Sequence, residues 1–261
     1  MVTLKDLRVR LDDAVCGRRV VFHHVPKCGG TSVSRALRFR YPSSFAGFPT
    51  GPTYRAIEAL NPTCDRDCIA NLVIDFRQKQ LLVHLFSDVR CVAGHVRFSE
   101  QAYELFHEKY QFITTLRDPV SLLSSLFFYD VSATEERWKA DPNIELFLET
   151  PRAALFGAVY AHFFSGLPPA TCDPQAREVI DRAKANLARF AVVGLTDDME
   201  RFERRLREVL GTRIRIGHRN KARVGPEERG RVISPAVRKK IEALSAVNLE
   251  IYDYARRNLA A

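Results

Sequence analysis

Short runs of β-branched and aromatic residues alternate along this chain with stretches whose apolar positions recur every three or four residues. The first run, Arg19 to Val25 (RVVFHHV), is closed by Pro26 and reads as a buried strand. Lys27 to Thr31 is a glycine-containing turn, and Ser32 to Phe39 has helical character. Tyr41 to Pro62 holds prolines, glycines and serines and is expected to be largely loop. Cys64 to Phe86 reads as helix, and Cys91 to Val96 and Gln111 to Leu116 read as strands. Asp118 to Tyr129 opens on Asp-Pro and continues as an apolar helix. Helical patterns follow over Pro151 to Phe164 and Pro174 to Ala188, then a buried strand over Phe190 to Leu195. Thr196-Asp197-Asp198 starts a helix on which Met199, Phe202, Leu206 and Val209 share a face. Ser234-Pro235 starts the last one, with Val237, Ile241, Leu244, Val247, Ile251 and Tyr254 as one apolar stripe.

Strands alternating with helices imply an α/β fold with a central, mostly parallel sheet flanked by helices. The 261 residues suit a single domain over 1–261. With 46% hydrophobic and 27% charged residues the composition is that of an ordinary globular protein. No window approaches the ~20 apolar residues of a membrane-spanning helix. The opening MVTLKDLRVRLDD is charged and lacks the apolar core of a secretory signal, so a cytoplasmic location is expected. The six cysteines follow no zinc-finger or ribbon spacing; free, mostly buried thiols are the preferred reading.

The formal charge of +9 favours an anionic partner without naming one: nucleic acid, glycan, acidic lipid and nucleotide all remain open. Its distribution is more informative. Between Thr212 and Arg231 stand seven basic residues against Glu227 and Glu228. A solvated basic loop would look the same. Two other segments carry more chemistry. Pro26-Lys27-Cys28-Gly29-Gly30-Thr31-Ser32 joins a strand end to a helix start through two glycines. Such a turn points backbone N–H groups and the positive end of a helix at an anion. Lys27 adds a mobile charge, and Thr31 and Ser32 add hydroxyls. The lysine precedes the glycines, so this is not a Walker loop. Arg117-Asp118-Pro119 ends another strand, and Ser125 lies two turns along the helix that follows; an arginine fork and a hydroxyl so placed suit a phosphate. Each motif alone also fits an ordinary strand–turn–helix.

Taken together, PKCGGTS and RDPVSLLSS resemble the sulfotransferase superfamily, in particular the branch with heparan sulfate 2-O-sulfotransferase and its bacterial relatives. Val193-Gly194-Leu195-Thr196, His218-Arg219-Asn220-Lys221 and the closing Ile251-Tyr252-Asp253-Tyr254-Ala255 extend the likeness. The resemblance implies a P-loop-like sulfotransferase fold and the donor 3′-phosphoadenosine 5′-phosphosulfate. It implies that Lys27, Cys28, Gly29, Gly30, Thr31 and Ser32 grip the 5′-phosphosulfate and that Arg117 and Ser125 hold the 3′-phosphate. It also implies that Arg219 and Lys221, with His218, close over the nucleotide. Cys28 stands where the family more often has threonine.

An acceptor hydroxyl must lose a proton as it attacks, which calls for a general base. His95, in AGHVRF at the end of a predicted strand, is the candidate; Gly94 before it is expected to leave room for an acceptor. The family carries a similar Gly-His segment, which supports the choice, and the family likeness alone suggests a carbohydrate acceptor. His23 and His24 are lesser candidates. Lys27 and backbone dipoles would supply the positive charge, so no metal is called for. A nucleotide kinase or NTPase would need the Walker lysine, which is absent. A nucleic-acid binder would need a recognition helix or an aromatic-basic surface, and neither is present, so no nucleic-acid partner is expected. A catalytically inactive glycan-binding relative stays open.

Overall fold

The computed structural model describes residues 17–133, 139–168, 173–217 and 225–260. Five parallel strands form one sheet: β1 (Arg19–His23), β2 (Phe45–Gly47), β3 (Cys91–Gly94), β4 (Tyr110–Leu116) and β5 (Val192–Leu195), in the order β2-β3-β1-β4-β5. The sheet is thus wholly parallel rather than mostly so.

Every residue of β1 is buried, as expected for a central strand covered on both faces. Alternate side chains serve the two faces. Val20 and Phe22, with Ile113 and Val192, pack under α1 (Gly30–Arg40) and α10 (Met199–Leu210). Val21, Val92, Phe112 and Val193 face the other way, onto α3 (Arg66–Phe86), α4 (Glu100–Phe106), α8 (Val159–Phe164), α9 (Arg177–Ala188) and α13 (Ala246–Asn258). A satellite core joins α5 (Pro119–Val131), α6 (Ile144–Leu148), α7 (Pro151–Gly157) and α12 (Pro235–Leu244). Helices α2 (Thr50–Leu60) and α11 (Pro226–Val232) complete the described elements, α2 packing on α3. Among the described residues no helix is long and apolar enough to cross a membrane.

Three expectations need correction. Tyr41 to Pro62 is not largely loop: it holds the edge strand β2 and the helix α2. Gly51 and Pro52 read as loop, but a proline is tolerated in a first helical turn; Thr53 and Ile57 are buried on α2, with Ile57 packed against Ile69 and Val73. The helix expected over Pro151 to Phe164 breaks at Ala158 into α7 and α8. The last helix likewise breaks at Ser245 into α12 and α13. These two breaks meet: a Cβ on Gly157 would stand 2.4 Å from Leu244 O. Asn248 serves the first break, accepting from Tyr160 N–H at 2.9 Å and donating to Phe156 O at 2.6 Å.

The chain leaves β1 toward β2 on one side and leaves β4 toward β5 on the other. This topological switch opens a crevice at the carboxyl ends of β1 and β4, where open α/β sheets bind ligands.

Candidate functional site

A cleft of about 690 Å³ occupies that crevice, a volume suited to a nucleotide-sized ligand. The turn after β1 forms its floor. Gly29 caps α1 with φ +72°, a left-handed conformation open to glycine. Lys27 takes φ +65° without being a glycine, a strained choice that re-aims the chain as it enters the turn. No acidic residue stands in the first turn of α1, and Arg38 and Arg40 lie in its last, so the helix presents an uncompensated positive end to the cleft. Cys28 N–H turns back to Val25 O at 3.3 Å and Ser32 N–H to Gly29 O at 3.1 Å.

Lys27, Gly29, Gly30, Thr31 and Ser32 all line the cleft, and so do Arg117 and Ser125 from the end of β4 and from α5. Cys28 does not. It is fully buried, with its thiol 3.7 Å from the Tyr160 hydroxyl and pushed up to about 12 by burial. The turn is instead tied down from below, by Thr115 Oγ1 donating to Cys28 O at 2.8 Å and Arg117 Nη1 donating to Lys27 O at 3.2 Å. Asp118 caps α5 through Ser121 N–H at 2.9 Å. Tyr160 locks the two segments together: its hydroxyl accepts from Arg117 N–H at 2.9 Å, donates to Arg117 O and touches Cys28.

His95 lines the cleft just beyond β3. Its Nδ1 lies 2.7 Å from His24 O. A carbonyl only accepts, so Nδ1 carries the proton and Nε2 keeps the lone pair. Burial lowers the imidazole pKa to about 4; the bond to His24 O works against this, and the charges of Arg77 and Lys27 add to it. The ring is therefore neutral at pH 7. His24 also reaches the cleft, its ring centroid 4.1 Å from that of His95. Burial, His95 and Lys27 hold its pKa well below the ordinary value. Gly30 admits this ring, since a Cβ there would sit 1.8 Å from His24 Cδ2. His23, by contrast, is fully buried among Phe98, Phe112 and Phe190 and belongs to the core. The room expected at Gly94 is already filled, because a Cβ there would meet Phe48 Cδ2 at 2.4 Å.

Sequence reasoning passed over several residues of the cleft. Tyr129 stacks on the Lys27 ammonium, 3.7 Å from the ring centroid. Arg152 is held bidentately by the fully buried Asp130, with Nη2 to Oδ1 at 2.9 Å. Tyr160 lies beneath the site. Tyr129 had a readable signal, one helical turn beyond Ser125 on the same face; Arg152 and Tyr160 sit on α7 and α8, which no motif marked. Arg219, Lys221 and His218 lie outside the described residues; Ile216 and Gly217, just before them in the chain, line the cleft. Among the described residues, no three His, Cys, Asp or Glu side chains stand together as a metal site. Of the cysteines, Cys28, Cys64, Cys68 and Cys91 are free thiols; Cys28 and Cys91 are buried, whereas Cys64 and Cys68 are half-buried. Cys16 and Cys172 lie outside the described residues.

No protein-family model and no curated protein matches this chain.

Proposed function

We propose that this protein is a sulfotransferase that moves a sulfuryl group from 3′-phosphoadenosine 5′-phosphosulfate to an acceptor hydroxyl, with a carbohydrate as the acceptor class suggested by resemblance. One observation carries the reading. A glycine turn on a helix N-terminus, an arginine–serine pair and a neutral histidine with a free lone pair reach one cleft from three adjacent strand ends.

In this reading Arg117 and Ser125 hold the 3′-phosphate and so set the register of the donor. The start of α1 and Lys27 hold the 5′-phosphosulfate. His95 Nε2 takes the proton of the acceptor hydroxyl as its oxygen attacks sulfur in line. The new O–S bond forms as the bond from sulfur to the bridging phosphate oxygen breaks, and 3′-phosphoadenosine 5′-phosphate leaves. Lys27 and the backbone amides stabilise charge on that bridging oxygen. A base with pKa near 4 is weak, but the bound donor brings anionic groups beside the ring. Their charge raises the imidazole toward the operating range.

Turnover tests this. Release of 3′-phosphoadenosine 5′-phosphate from the donor is followed across glycan acceptors in the wild type and in His95→Ala. Acceptor-dependent release that falls by roughly 10²–10⁴-fold in the variant, with nucleotide affinity retained, is the expected result. Binding without turnover on any acceptor would favour a glycan-binding relative lacking activity.

A further inference from the structure

Arg77, on α3 behind the site, is 4% exposed and sits outside the cleft lining. Its Nη1 donates to His95 O at 3.3 Å and its Nη2 to Thr50 Oγ1 at 3.2 Å, while Nε is buried with no partner. Among the described residues no carboxylate pairs with it. A buried cation without a counter-charge is costly, and cheaper side chains would fill the same space. The two oxygens it spans lie at the start of α2 and just past the end of β3. They therefore fix where the catalytic strand end leaves the sheet.

We infer that Arg77 is a positioning residue, holding the His95 backbone so that the ring keeps its Nδ1–H on His24 O and its Nε2 toward the cleft. This rests on the reading of His95 as the base. Among the described residues three cationic or titratable groups face that ring: His24 from the end of β1, Lys27 from the turn and Arg77 from α3. Of these, Arg77 alone stays away from the ligand, so its charge on His95 is present in every step. It adds to burial, the larger cause, in keeping Nε2 unprotonated while the acceptor arrives, and the anionic donor then offsets it.

The test pairs Arg77→Gln with Arg77→Lys. The His95 ring is titrated by nitrogen NMR, kcat is measured, and affinity for 3′-phosphoadenosine 5′-phosphate is measured separately. In Arg77→Gln the His95 midpoint should move up from about 4 and kcat should fall roughly ten- to a hundredfold, with nucleotide affinity unchanged. In Arg77→Lys the midpoint should stay near that of the wild type, while kcat falls because an ammonium cannot fork between two oxygens. An unmoved midpoint in Arg77→Gln, or a loss of nucleotide affinity matching the loss of kcat, would overturn the assignment. Should the glutamine variant not fold, the lysine variant decides: a raised midpoint or a wild-type kcat overturns it. The titration needs no turnover, so a wild type without transferase activity would sink the proposed function and leave this test intact.

Discussion

At the residue scale the site depends on hydrogen bonds that fix who carries which proton. His95 gives its proton to His24 O, and this makes Nε2 a base rather than a donor. Because burial lowers the ring to about 4 before the donor binds, kcat/KM for the donor should be flat through neutrality and fall only as pH drops toward that value. A pH–rate profile checks this, and an acid limb near the ordinary histidine value would contradict it. Tyr160 is the other residue whose removal should be felt. Tyr160→Phe deletes the hydroxyl shared by Arg117 N–H, Arg117 O and Cys28, leaving buried polar groups unpaired. The expected cost is about 1–3 kcal/mol in chemical unfolding, with weaker nucleotide binding because the Arg117 turn loosens. Unchanged nucleotide affinity would show that Tyr160 serves the core alone.

At the element scale, helix breaks decide where these residues lie. Asn248 satisfies the backbone on both sides of the break between α7 and α8, and α8 carries Tyr160 to the site. Asn248→Ala should therefore cost about 1–3 kcal/mol, measured by urea unfolding, and more than Asn248→Asp, which keeps the acceptor for Tyr160 N–H. This break shows what was legible from sequence. Strands read over 19–25, 91–96 and 190–195 are present with their ends trimmed, and the one read over 111–116 starts one residue earlier, at Tyr110; their continuous apolar runs match burial on both faces. Edge strand β2 was not legible: its three half-buried residues pair on one side with β3 and carry no pattern. The stripe from Val237 to Tyr254 reads as one helix, and only the tertiary crossing of Gly157 on Leu244 goes with its break at Ser245. The site was legible where a motif sits on one turn, as at Lys27 to Ser32, Arg117 to Ser125 and His95. Arg152 lines the cleft, and Tyr160 and Arg77 support it from behind, from elements distant in sequence from the motifs, so no local pattern announces them.

At the scale of the whole molecule, burial of neutral histidines links stability to pH. His23, His95 and His162 are each lowered to about 4, with burial as the largest cause. Folded-state values below the ordinary 6.5 mean that the unfolded chain binds more protons between 6.5 and 4. Stability is therefore complete above that window and is lost as pH falls through it. For the fully buried His23 alone the loss is about 3 kcal/mol. Urea midpoints taken from about pH 7 down to about pH 4 should fall steeply, and His23→Phe should flatten the slope; a pH-independent midpoint would contradict the burial of neutral rings. In the proposed function the cleft acts as a unit, with the turn after β1 and the turn after β4 holding two ends of one nucleotide. Calorimetric titration with 3′-phosphoadenosine 5′-phosphate, beside ATP with magnesium and adenosine 5′-phosphosulfate, tests it most directly. The expected result is binding that requires the 3′-phosphate and disappears in Arg117→Ala. A preference for ATP with magnesium, or no nucleotide binding, would contradict the sulfotransferase reading.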